Sequence, residues 1–372
     1  MRFLIVNTDY DGFMRGFYAD RPGLAAASHA EQMRERFGTL FGMADFYSEA
    51  LRDLGHEAED LIVNLAPAQK AWAQENGVPF CTGWRLRMQP SRFGCAMPRL
   101  QPDDGWIQDI LAAQVERCKP DVFYCMCIET LGTDFIRRIR PHIRLAVGQH
   151  AAPHSKLDIS GYDLMLSSLP NYVDYYRRQG MRAEPFRLGF ARRIAGRLQA
   201  GEKRHDVAFV GGLGSFHADS TALLEKICGR FQTRIWGYGV QTLPRRSVIR
   251  QCHGGPLWGL DMYQAYRDAR IVFNRHIGIA ENYANNLRLY EATGVGSLLL
   301  TDHKQNLPEI FQPGVEVAAY KNDGECLELI EHYLAHADER EKVAATGQRR
   351  TLTEHTYHNR MAELCGILAK YL

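Results

Sequence analysis

The sequence predicts an α/β protein with two parallel-sheet domains of similar size. In the first half of the 372-residue chain, short apolar runs alternate with helical stretches, and the same alternation starts again near residue 205. Such alternation is typical of parallel sheets covered by helices. The segment between the two halves, residues 188–204, is basic, contains glycine and has little periodicity, as expected of a domain boundary. The length also fits two domains of ~150 residues each.

The composition is that of an ordinary globular protein. Hydrophobic residues make up 45% and charged residues 24%, and the formal net charge of +2 gives no reason to expect nucleic acid as a partner. No apolar run reaches the ~18 residues of a membrane-spanning helix, and "MRFLIVNTDYDG" lacks the apolar region and cleavage site of a signal peptide. The nine cysteines have neither zinc nor disulfide spacing. We therefore expect reduced thiols and a cytoplasmic location.

The first domain is assigned to residues 1–188. It starts with a buried strand, "RFLIV", and helical periodicity follows at residues 24–37 and 41–54. Residues 65–103 are rich in Pro, Gly and Arg and are predicted to form an irregular excursion at the edge of a cleft. The remaining elements are a helix and a strand in "WIQDILAAQVERCKPDVFYCMCI", strands in "IRLAVGQHA" and "YDLMLSS", a helix at 170–179 and a strand near 183–187.

The second domain is assigned to residues 205–352. In chain order it comprises a strand and glycine loop in "HDVAFVGGLG", a helix at 217–230, the strand "QTRIWGYG", a helix and strand in "LDMYQAYRDARIVFNRHIG", a helix and strand in "ANNLRLYEATGVGSLLLTD", the strand "GVEVAAYKN", and helices at 324–336 and 338–348. A last helix at 355–370, within residues 353–372, is predicted to pack back toward the first domain. Two Rossmann-like domains that face each other place the carboxyl ends of both sheets at a shared cleft, where ligands bind.

The glycine loop of the second domain is a candidate anion site. Gly211, Gly212 and Gly214 follow a strand and precede a helix, so backbone N–H groups can approach an anionic group there. A dinucleotide fingerprint is not complete, because His217 stands where the third glycine is required. A tight turn without a ligand is the alternative.

Arg288 is unusual because it lies in the first turn of a predicted helix, after Asn285 or Asn286 as the N-cap. The helix dipole opposes a cation there by ~0.3–1 kcal/mol, and Arg before Glu291 is the weaker order for an ion pair on one helix face. A bound pyrophosphate would reverse that penalty, with Arg288 and the amides of Asn286 and Leu287 as donors. Glu291 could then accept hydrogen bonds from ribose hydroxyls. A surface ion pair on a core helix is the alternative.

The stretch "NNLRLYEATGVGSLLLTDHKQNLPEIFQPGVEVAAY", followed by "EREKVAATGQRRTLTEHTYHNRM", resembles the C-terminal half of the CgeB-like glycosyltransferases of spore maturation. This family belongs to the GT-B superfamily, near the retaining enzymes of family 4. The similarity covers residues 205–370, and "YDLMLSSLPNYVDYYRRQG" more weakly resembles the accompanying N-terminal domain. The resemblance implies a GT-B fold and a nucleoside-diphosphate-sugar donor held mainly by the C-terminal domain. It implies no cofactor and no metal, because helix N-termini and basic side chains neutralise the departing diphosphate.

The resemblance also assigns roles to individual residues. Glu291 matches the second glutamate of the E-x7-E motif, which binds the donor ribose. The first glutamate would fall at Tyr283, with Glu281 the nearest acid, and this departure leaves the sugar contact and the stereochemical outcome open. By position, the implied cleft residues are Gly211 and Gly212 at the diphosphate, Trp236 or Tyr238 stacking on the base, and Arg275 with His276 near the phosphates. Core packing is the alternative for the two aromatic residues, and a structural histidine is the alternative for His276.

Candidates for a catalytic base come from the first domain. Asp9 and Asp11 in "DYD" follow the first strand, and His150 follows another strand in "GQHAAPHS", a loop that also contains His154. If the reaction inverts the anomeric centre, Asp9, Asp11 or His150 would deprotonate the acceptor hydroxyl; if it retains the configuration, no base is required. A solvated turn is the alternative for "DYD", which resembles a metal-binding DxD motif but stands at the wrong place for that fold.

Two residues and one loop complete the candidate set. Glu129 and His29 are further candidates for the cleft. The basic loop "RLRMQPSRFG" at 85–94 would contact an anionic acceptor or a membrane surface, or form a solvated edge.

The predicted activity is transfer of a sugar from a nucleoside-diphosphate-sugar to a saccharide, lipid-linked, protein or small-molecule acceptor. Catalysis would rest on positioning and on stabilisation of the departing diphosphate. The alternatives are a nucleotide-sugar 2-epimerase-like enzyme of the same fold and a non-catalytic nucleotide-sugar-binding protein. The missing first glutamate keeps the non-catalytic alternative open.

Overall fold

Two parallel sheets form the framework of the molecule. The computed structural model describes residues 1–81, 83–90, 96–153, 157–214 and 218–372. Within these ranges a six-stranded sheet belongs to the N-terminal half and a five-stranded sheet to the C-terminal half, with helices around both. The predicted fold class is therefore confirmed.

Strands and helices alternate along most of the described chain. The strands are β1 (Arg2–Asn7), β2 (Glu57–Ile62), β3 (Trp84–Pro90), β4 (Ala96–Pro102), β5 (Val122–Cys125), β6 (Leu145–Gln149), β7 (Leu164–Ser167), β8 (Ala183–Pro185), β9 (His205–Val210), β10 (Thr233–Trp236), β11 (Ala269–Phe273), β12 (Leu298–Asp302) and β13 (Ala318–Tyr320). The α-helices are α1 (Asp11–Ala19), α2 (His29–Gly38), α3 (Phe46–Asp53), α4 (Ala66–Glu75), α5 (Trp106–Cys118), α6 (Thr133–Ile139), α7 (Pro170–Arg178), α8 (Arg192–Ala195), α9 (Ala218–Cys228), α10 (Ile249–Cys252), α11 (Gly259–Arg267), α12 (Leu287–Gly294), α13 (Asp323–Ala335), α14 (Ala337–Glu354) and α15 (Tyr357–Leu368).

The N-terminal sheet has the strand order β2-β1-β5-β6-β7-β8, and all of its pairings are parallel. The interior strand β1 is buried on both faces: Phe3 and Ile5 belong to one apolar cluster, and Leu4 and Val6 to another. A strand covered on both faces has no polar positions to alternate with apolar ones, which explains the continuous apolar run in the sequence.

The C-terminal sheet has the order β10-β9-β11-β12-β13 and is also parallel throughout. Its central strands β9 and β11 end at Val210 and Phe273, and β12 ends at Asp302. The residues that follow these strands therefore emerge side by side at one edge of the sheet. This edge faces the N-terminal domain.

The last helix returns to the N-terminal domain, as predicted. Helix α15 packs against α3, where the rings of Phe46 and Tyr357 stack with centroids 5.2 Å apart. Just before this helix, the backbone N–H of Phe190 donates to the carbonyl of His355 (2.8 Å), and the N–H of Tyr357 donates to the carbonyl of Phe190 (3.1 Å). A capping box between Thr356 and its N3 residue starts the helix. One apolar cluster accordingly includes residues of both domains, so the domains share a core.

Several predicted elements need correction. Residues 65–103 are not irregular: they contain α4, with proline in its first turn, and the antiparallel hairpin β3–β4. Helix α1 was not predicted. The helix predicted at 24–37 starts only at His29, because Ser28 caps it. The helix predicted at 41–54 starts at Phe46, because Gly42 and Ala44 have positive φ angles, which a helix does not accommodate. None of the described helices combines the length and apolar character needed to cross a bilayer.

Candidate functional site

A cavity of about 510 Å³ lies between the two domains, at the carboxyl ends of both sheets. Asn7 and Gln149 reach it from the ends of β1 and β6, and Gly211 and Arg275 reach it after β9 and β11. Ligands of parallel α/β sheets bind at this end of the strands. A second cavity, of about 470 Å³, is lined by residues at the opposite end of β1 and β2, where the fold gives no such expectation.

Several buried polar atoms that find no hydrogen-bond partner among the described residues converge on the cavity between the domains. They are Nε2 of His276, Oδ1 of Asn285, Oδ1 of Asn286 and Oγ of Ser168. A buried polar group left unpaired costs ~1–3 kcal/mol, and folded proteins pair nearly all such groups. Four of them on the wall of one cavity therefore indicate that a polar ligand completes the site.

His276 is held rigidly at the cavity wall. Its Nδ1 lies 2.7 Å from Oδ1 of Asp302, which also accepts its backbone N–H at 3.0 Å, and Lys304 approaches the other carboxylate oxygen at 3.3 Å. Burial alone would raise the pKa of Asp302, but the hydrogen bond and charges of His276 and Lys304 hold that pKa below its ordinary value. The charged carboxylate keeps a proton on Nδ1, so Nε2 is the ring atom presented to a ligand.

Arg288 connects several elements at the same wall. Its Nε donates to the hydroxyl of Tyr266 (3.2 Å), Nη1 to Oδ1 of Asn274 (2.8 Å) and Nη2 to the carbonyl of Val210. The guanidinium also lies 4.7 Å from the centroid of the Phe209 ring. All these partners are neutral, so they orient the guanidinium without cancelling its charge, and Arg288 lines the cavity with that charge.

The N-terminus of α12 adds backbone donors beside Arg288. Asn286 occupies the N-cap position, as predicted, but its side chain does not cap the helix; its Nδ2 donates to Oδ1 of Asn274 (2.7 Å) instead. The Asn286 side chain therefore leaves the first-turn amides uncapped, and both Leu287 and Arg288 line the cavity. Gly211 also lines it, and a Cβ there would lie 3.0 Å from Nη2 of Arg288 and 2.8 Å from the Phe209 ring. This close approach explains the glycine.

Arg275 and Gly212 complete the C-terminal wall. Arg275 follows β11, and its Nη1 donates to Oδ1 of Asp323 (3.1 Å), a carboxylate that Lys226 also contacts at 2.8 Å. Three positively polarised groups, Arg275, Arg288 and the start of α12, thus meet at one side of the cavity.

Glu291 lies behind this wall rather than in it. The side chain is buried, does not line the cavity, and lies within hydrogen-bonding reach of the Tyr263 hydroxyl. Burial raises its pKa to about 7, and the charge of Arg288 and the contact with Tyr263 offset this only in part. Its assignment to the ribose stays a prediction, and such a contact would require the wall to open.

The N-terminal wall contains a chain of three polar side chains. The ring of His150 is buried, with Nδ1 2.6 Å from the Tyr176 hydroxyl and Nε2 3.0 Å from Oε1 of Glu129. Burial raises the pKa of Glu129, but the contact with His150 outweighs this effect and the pKa lies below its ordinary value. Both His150 and Glu129 line the cavity.

The two aspartates of "DYD" lie in different environments. Both carboxylate oxygens of Asp9 accept hydrogen bonds from Arg36, each at 2.5 Å, and both residues are buried. A carboxylate occupied in this way is poorly suited to take a proton from an acceptor. Asp11 is exposed at the start of α1 and does not line the cavity. The role of either aspartate as the base stays a prediction that these contacts do not favour.

The two aromatic residues predicted to stack on the nucleobase also lie outside the cavity lining. Trp236 packs edge-on against His205, with centroids 5.7 Å apart. Tyr238 is exposed, but it is close enough to the cavity residue Tyr10 to raise the pKa of that phenol, second to burial. Of the two, Tyr238 is the one placed at the rim of the cavity.

Some candidates lie elsewhere, and some site residues were missed. His29 is buried against the carbonyl of Ala68 and does not line the cavity. His154 and His217 lie outside the described residues. Sequence reasoning missed Ser168 and Gln149; a search for polar residues at and just after the ends of predicted strands would have found both.

Comparison with known protein families finds a match in the C-terminal half of the chain. Residues 220–366, less than half of the chain, match the family described as "Glycosyl transferase-like"; the match spans most of the C-terminal domain together with α15. No curated protein sequence matches the chain. The matched residues include Arg275, His276 and Arg288 on the C-terminal wall of the cavity.

Solved structures extend the comparison to the whole chain. HepE from Anabaena in complex with UDP-glucose is 10% identical, with a TM-score of 0.58 and coverage of 100% of both chains. Sucrose-phosphate synthase from Thermosynechococcus elongatus is 10% identical (TM-score 0.55; 100% of this chain, 99% of that one). The pneumococcal O-GlcNAc transferase GtfA in complex with UDP and GlcNAc is 9% identical (TM-score 0.55; 100% and 99%). At these identities the similarity establishes the fold alone, which is the predicted GT-B fold.

The ion pair between Asp9 and Arg36 yields a prediction about stability. Asp9→Asn leaves the buried guanidinium without its counter-charge and should lower the free energy of unfolding by about 3–5 kcal/mol. Urea unfolding at neutral pH measures this. Asp134→Asn is the control, because its ion pair with Arg137 is exposed and should contribute little. A stable Asp9→Asn variant without activity would instead identify Asp9 as the base.

The raised pKa of Glu291 yields a prediction about pH. The unfolded chain loses this proton near pH 4.5, whereas the native protein keeps it until about pH 7. The stabilisation is therefore complete below about pH 4 and is lost as the pH rises through 7. Glu291→Gln should show a smaller loss of stability between pH 5 and 8 than the wild type in urea unfolding, whereas the exposed Glu331→Gln should not differ from it. If the stability of Glu291→Gln and of the wild type depended on pH in the same way, the raised pKa of Glu291 would be contradicted.

Proposed function

We propose that this protein is a glycosyltransferase that moves a sugar from a nucleoside-diphosphate-sugar to an acceptor. The observation that carries the proposal is the convergence of unpaired buried polar atoms and two arginines on one interdomain cavity. The match of residues 220–366 to a glycosyltransferase-like family favours transfer over a nucleotide-sugar 2-epimerase-like reaction or simple binding.

The diphosphate of the donor would bind the C-terminal wall. Arg288, Arg275 and the first-turn amides of α12 supply positive charge and N–H donors, and Gly211 and Gly212 let the ligand approach the backbone. Charge-assisted hydrogen bonds to an oxyanion are about twice as strong as neutral ones. The same groups would stabilise the charge that develops on the departing diphosphate, which is the main catalytic requirement of the reaction and needs no metal or other cofactor.

His276 fits the same role as a donor to a phosphate oxygen. Asp302 fixes the ring through Nδ1, so that Nε2 faces the cavity, where a proton on this atom would be donated to the leaving group as negative charge builds there. Nε2 has no hydrogen-bond partner among the residues that the structure describes, which supports this assignment over a purely structural histidine.

The nature of the donor and the subfamily are proposed on similarity. HepE and GtfA were solved with UDP or UDP-glucose, and we propose a UDP-sugar as the first donor to test. The stretches at 285–320 and 339–361 support membership in the CgeB-like group, near the retaining family 4. Acceptor classes that fit are saccharides, lipid-linked carriers, proteins and small molecules. The unpaired state of the cysteines in the described residues supports a cytoplasmic location.

The hairpin β3–β4 supports a peripheral contact with an anionic membrane. Trp84, Leu86, Met88 and Leu100 alternate along its strands and are between 63% and 65% exposed. Between Glu75 and Asp103 the sequence contains four arginines and no acidic residue. Apolar side chains combined with basic charge bind the interface of anionic lipids. The tip of the basic loop, residues 91–95, lies outside the described residues.

The diphosphate assignment predicts selective loss of phosphate binding. Arg288→Ala and Arg275→Ala should each weaken the binding of UDP about 10- to 100-fold and that of uridine less than twofold, because a hydrogen bond to a charged group contributes ~1.5–3 kcal/mol. Isothermal titration with UDP, GDP, dTDP and ADP and their nucleosides measures this. Arg137→Ala, exposed and outside the cavity lining, is the control. Equal losses for nucleotide and nucleoside would contradict the assignment.

The membrane contact predicts lipid-dependent sedimentation. The wild type should sediment with phosphatidylglycerol-containing vesicles and not with pure phosphatidylcholine vesicles. Trp84→Ser/Leu86→Ser should reduce this binding at least fivefold, because each exposed apolar side chain contributes roughly 1.5–3 kcal/mol on burial. Val315→Ser/Leu372→Ser, which also removes exposed apolar side chains, is the matched control. Equal binding of both double variants, or no binding of the wild type, would refute the contact.

A further inference from the structure

Glu129 is the one carboxylate among the described residues that line the interdomain cavity. It follows β5, the strand next to β1, on the N-terminal side. Its side chain is 41% exposed, whereas the histidine that contacts it is almost fully buried. The carboxylate is therefore accessible to a ligand from the cavity, while the buried His150 holds it in place.

The anchor is a short chain of polar contacts into the protein. The buried Tyr176 hydroxyl lies 2.6 Å from Nδ1 of His150, so it can donate to that nitrogen and leave the ring proton on Nε2. Nε2 then lies 3.0 Å from Oε1 of Glu129. His150 is the one polar side chain in the described part of the protein found in contact with Glu129, in contrast to Asp9, whose two oxygens are both occupied by Arg36. The Glu129 carboxylate can therefore accept further hydrogen bonds from a ligand.

The two walls of the cavity carry opposite charge. Arg275, Arg288 and the start of α12 lie on the C-terminal wall, and Glu129 lies on the N-terminal wall. A carboxylate within ~4 Å of a diphosphate would be repelled by roughly 1–4 kcal/mol per charge pair even with strong screening. Glu129 is thus suited to a part of the donor that is neutral and rich in hydroxyl donors, or that becomes positive in the transition state.

On the basis of the proposed function, we propose that Glu129 binds the sugar of the donor. One or two sugar hydroxyls donate to its carboxylate, while the diphosphate is held on the opposite wall. His150 is then a positioning residue that keeps Glu129 charged and oriented, rather than the base that deprotonates the acceptor. The negative charge also lies on the side of the cavity where positive charge would develop at the anomeric carbon as the diphosphate departs.

The test compares nucleotides with sugar nucleotides. Wild type, Glu129→Gln and Glu129→Ala are titrated with UDP, UDP-glucose and UDP-N-acetylglucosamine, and with GDP and GDP-mannose. The ratio of sugar-nucleotide Kd to nucleotide Kd should rise at least tenfold in both variants, while the Kd of the nucleotide changes less than twofold. Glu281→Gln is the matched control: this exposed carboxylate is the nearest acid to Tyr283 in sequence, yet it does not line the cavity. Unchanged melting temperatures show that the variants are folded.

A second variant separates positioning from base catalysis. His150→Gln should raise the same Kd ratio in the same direction as Glu129→Gln and should raise KM for the sugar nucleotide in donor hydrolysis. A general base would instead show as a loss of kcat with an unchanged ratio, and that result would overturn the positioning role.

The outcomes distinguish this inference from the proposed function. If nucleotides bind the wild type and Arg288→Ala weakens them, but the Kd ratio is unchanged in Glu129→Gln, the inference about Glu129 is wrong and the diphosphate site stands. A rise of the ratio in Glu281→Gln alone would also overturn it. If none of the nucleotides binds the wild type, the proposed function itself fails.

Discussion

The partly buried charge of Arg288, whose hydrogen-bond partners among the described residues are all neutral, is the constraint on which the C-terminal half of the site depends. Its three hydrogen bonds tie together the ends of β9 and β11 and helix α11, all through neutral acceptors. The guanidinium stands in the first turn of α12, where the helix dipole disfavours it. Glu291 is close enough to interact with it, but burial favours the protonated form of that carboxyl. An anion in the cavity is the group that would stabilise this arrangement, so local electrostatics and ligand binding are coupled.

The shared core of the two domains fixes the position of the N-terminal wall of the cavity, which faces the bound anion. The strand-like contact of Phe190 with His355 and Tyr357, together with the packing of α15 on α3, joins the domains away from the cavity. The cavity can therefore present a positive wall and a negative residue at a separation that the fold sets. A donor with a charged diphosphate and a neutral sugar matches this separation of charge in a way that a simple anion does not.

The sequence predicted the fold well, because strand burial and helix periodicity are local patterns that parallel α/β packing produces directly. It also singled out Arg288, since a cation in a first helical turn conflicts with the dipole, and Arg288 lines the cavity, although its role there stays a prediction. It could not predict the buried ion pair of Asp9, because the partner of Asp9, Arg36, is 27 residues away on another element. Nor could it find the pairing of His150 with Glu129, which depends on β5 and β6 lying side by side. Roles set by neighbours distant in sequence need the tertiary structure.

Tyr283, which stands where the first glutamate of the E-x7-E motif is expected, has a structural role that its packing explains. Tyr283 and Ala280 pack against the apolar cluster of the N-terminal domain, although they belong to the C-terminal half of the chain. The loop that would carry the first glutamate of E-x7-E is thus used to join the domains, and the carboxylate in the cavity comes from the opposite domain at Glu129. If Glu129 holds the sugar, then nucleotide and sugar are bound by different domains. Any motion that separates the domains would weaken sugar binding while leaving the diphosphate contacts intact, so recognition of the complete donor would require the closed arrangement.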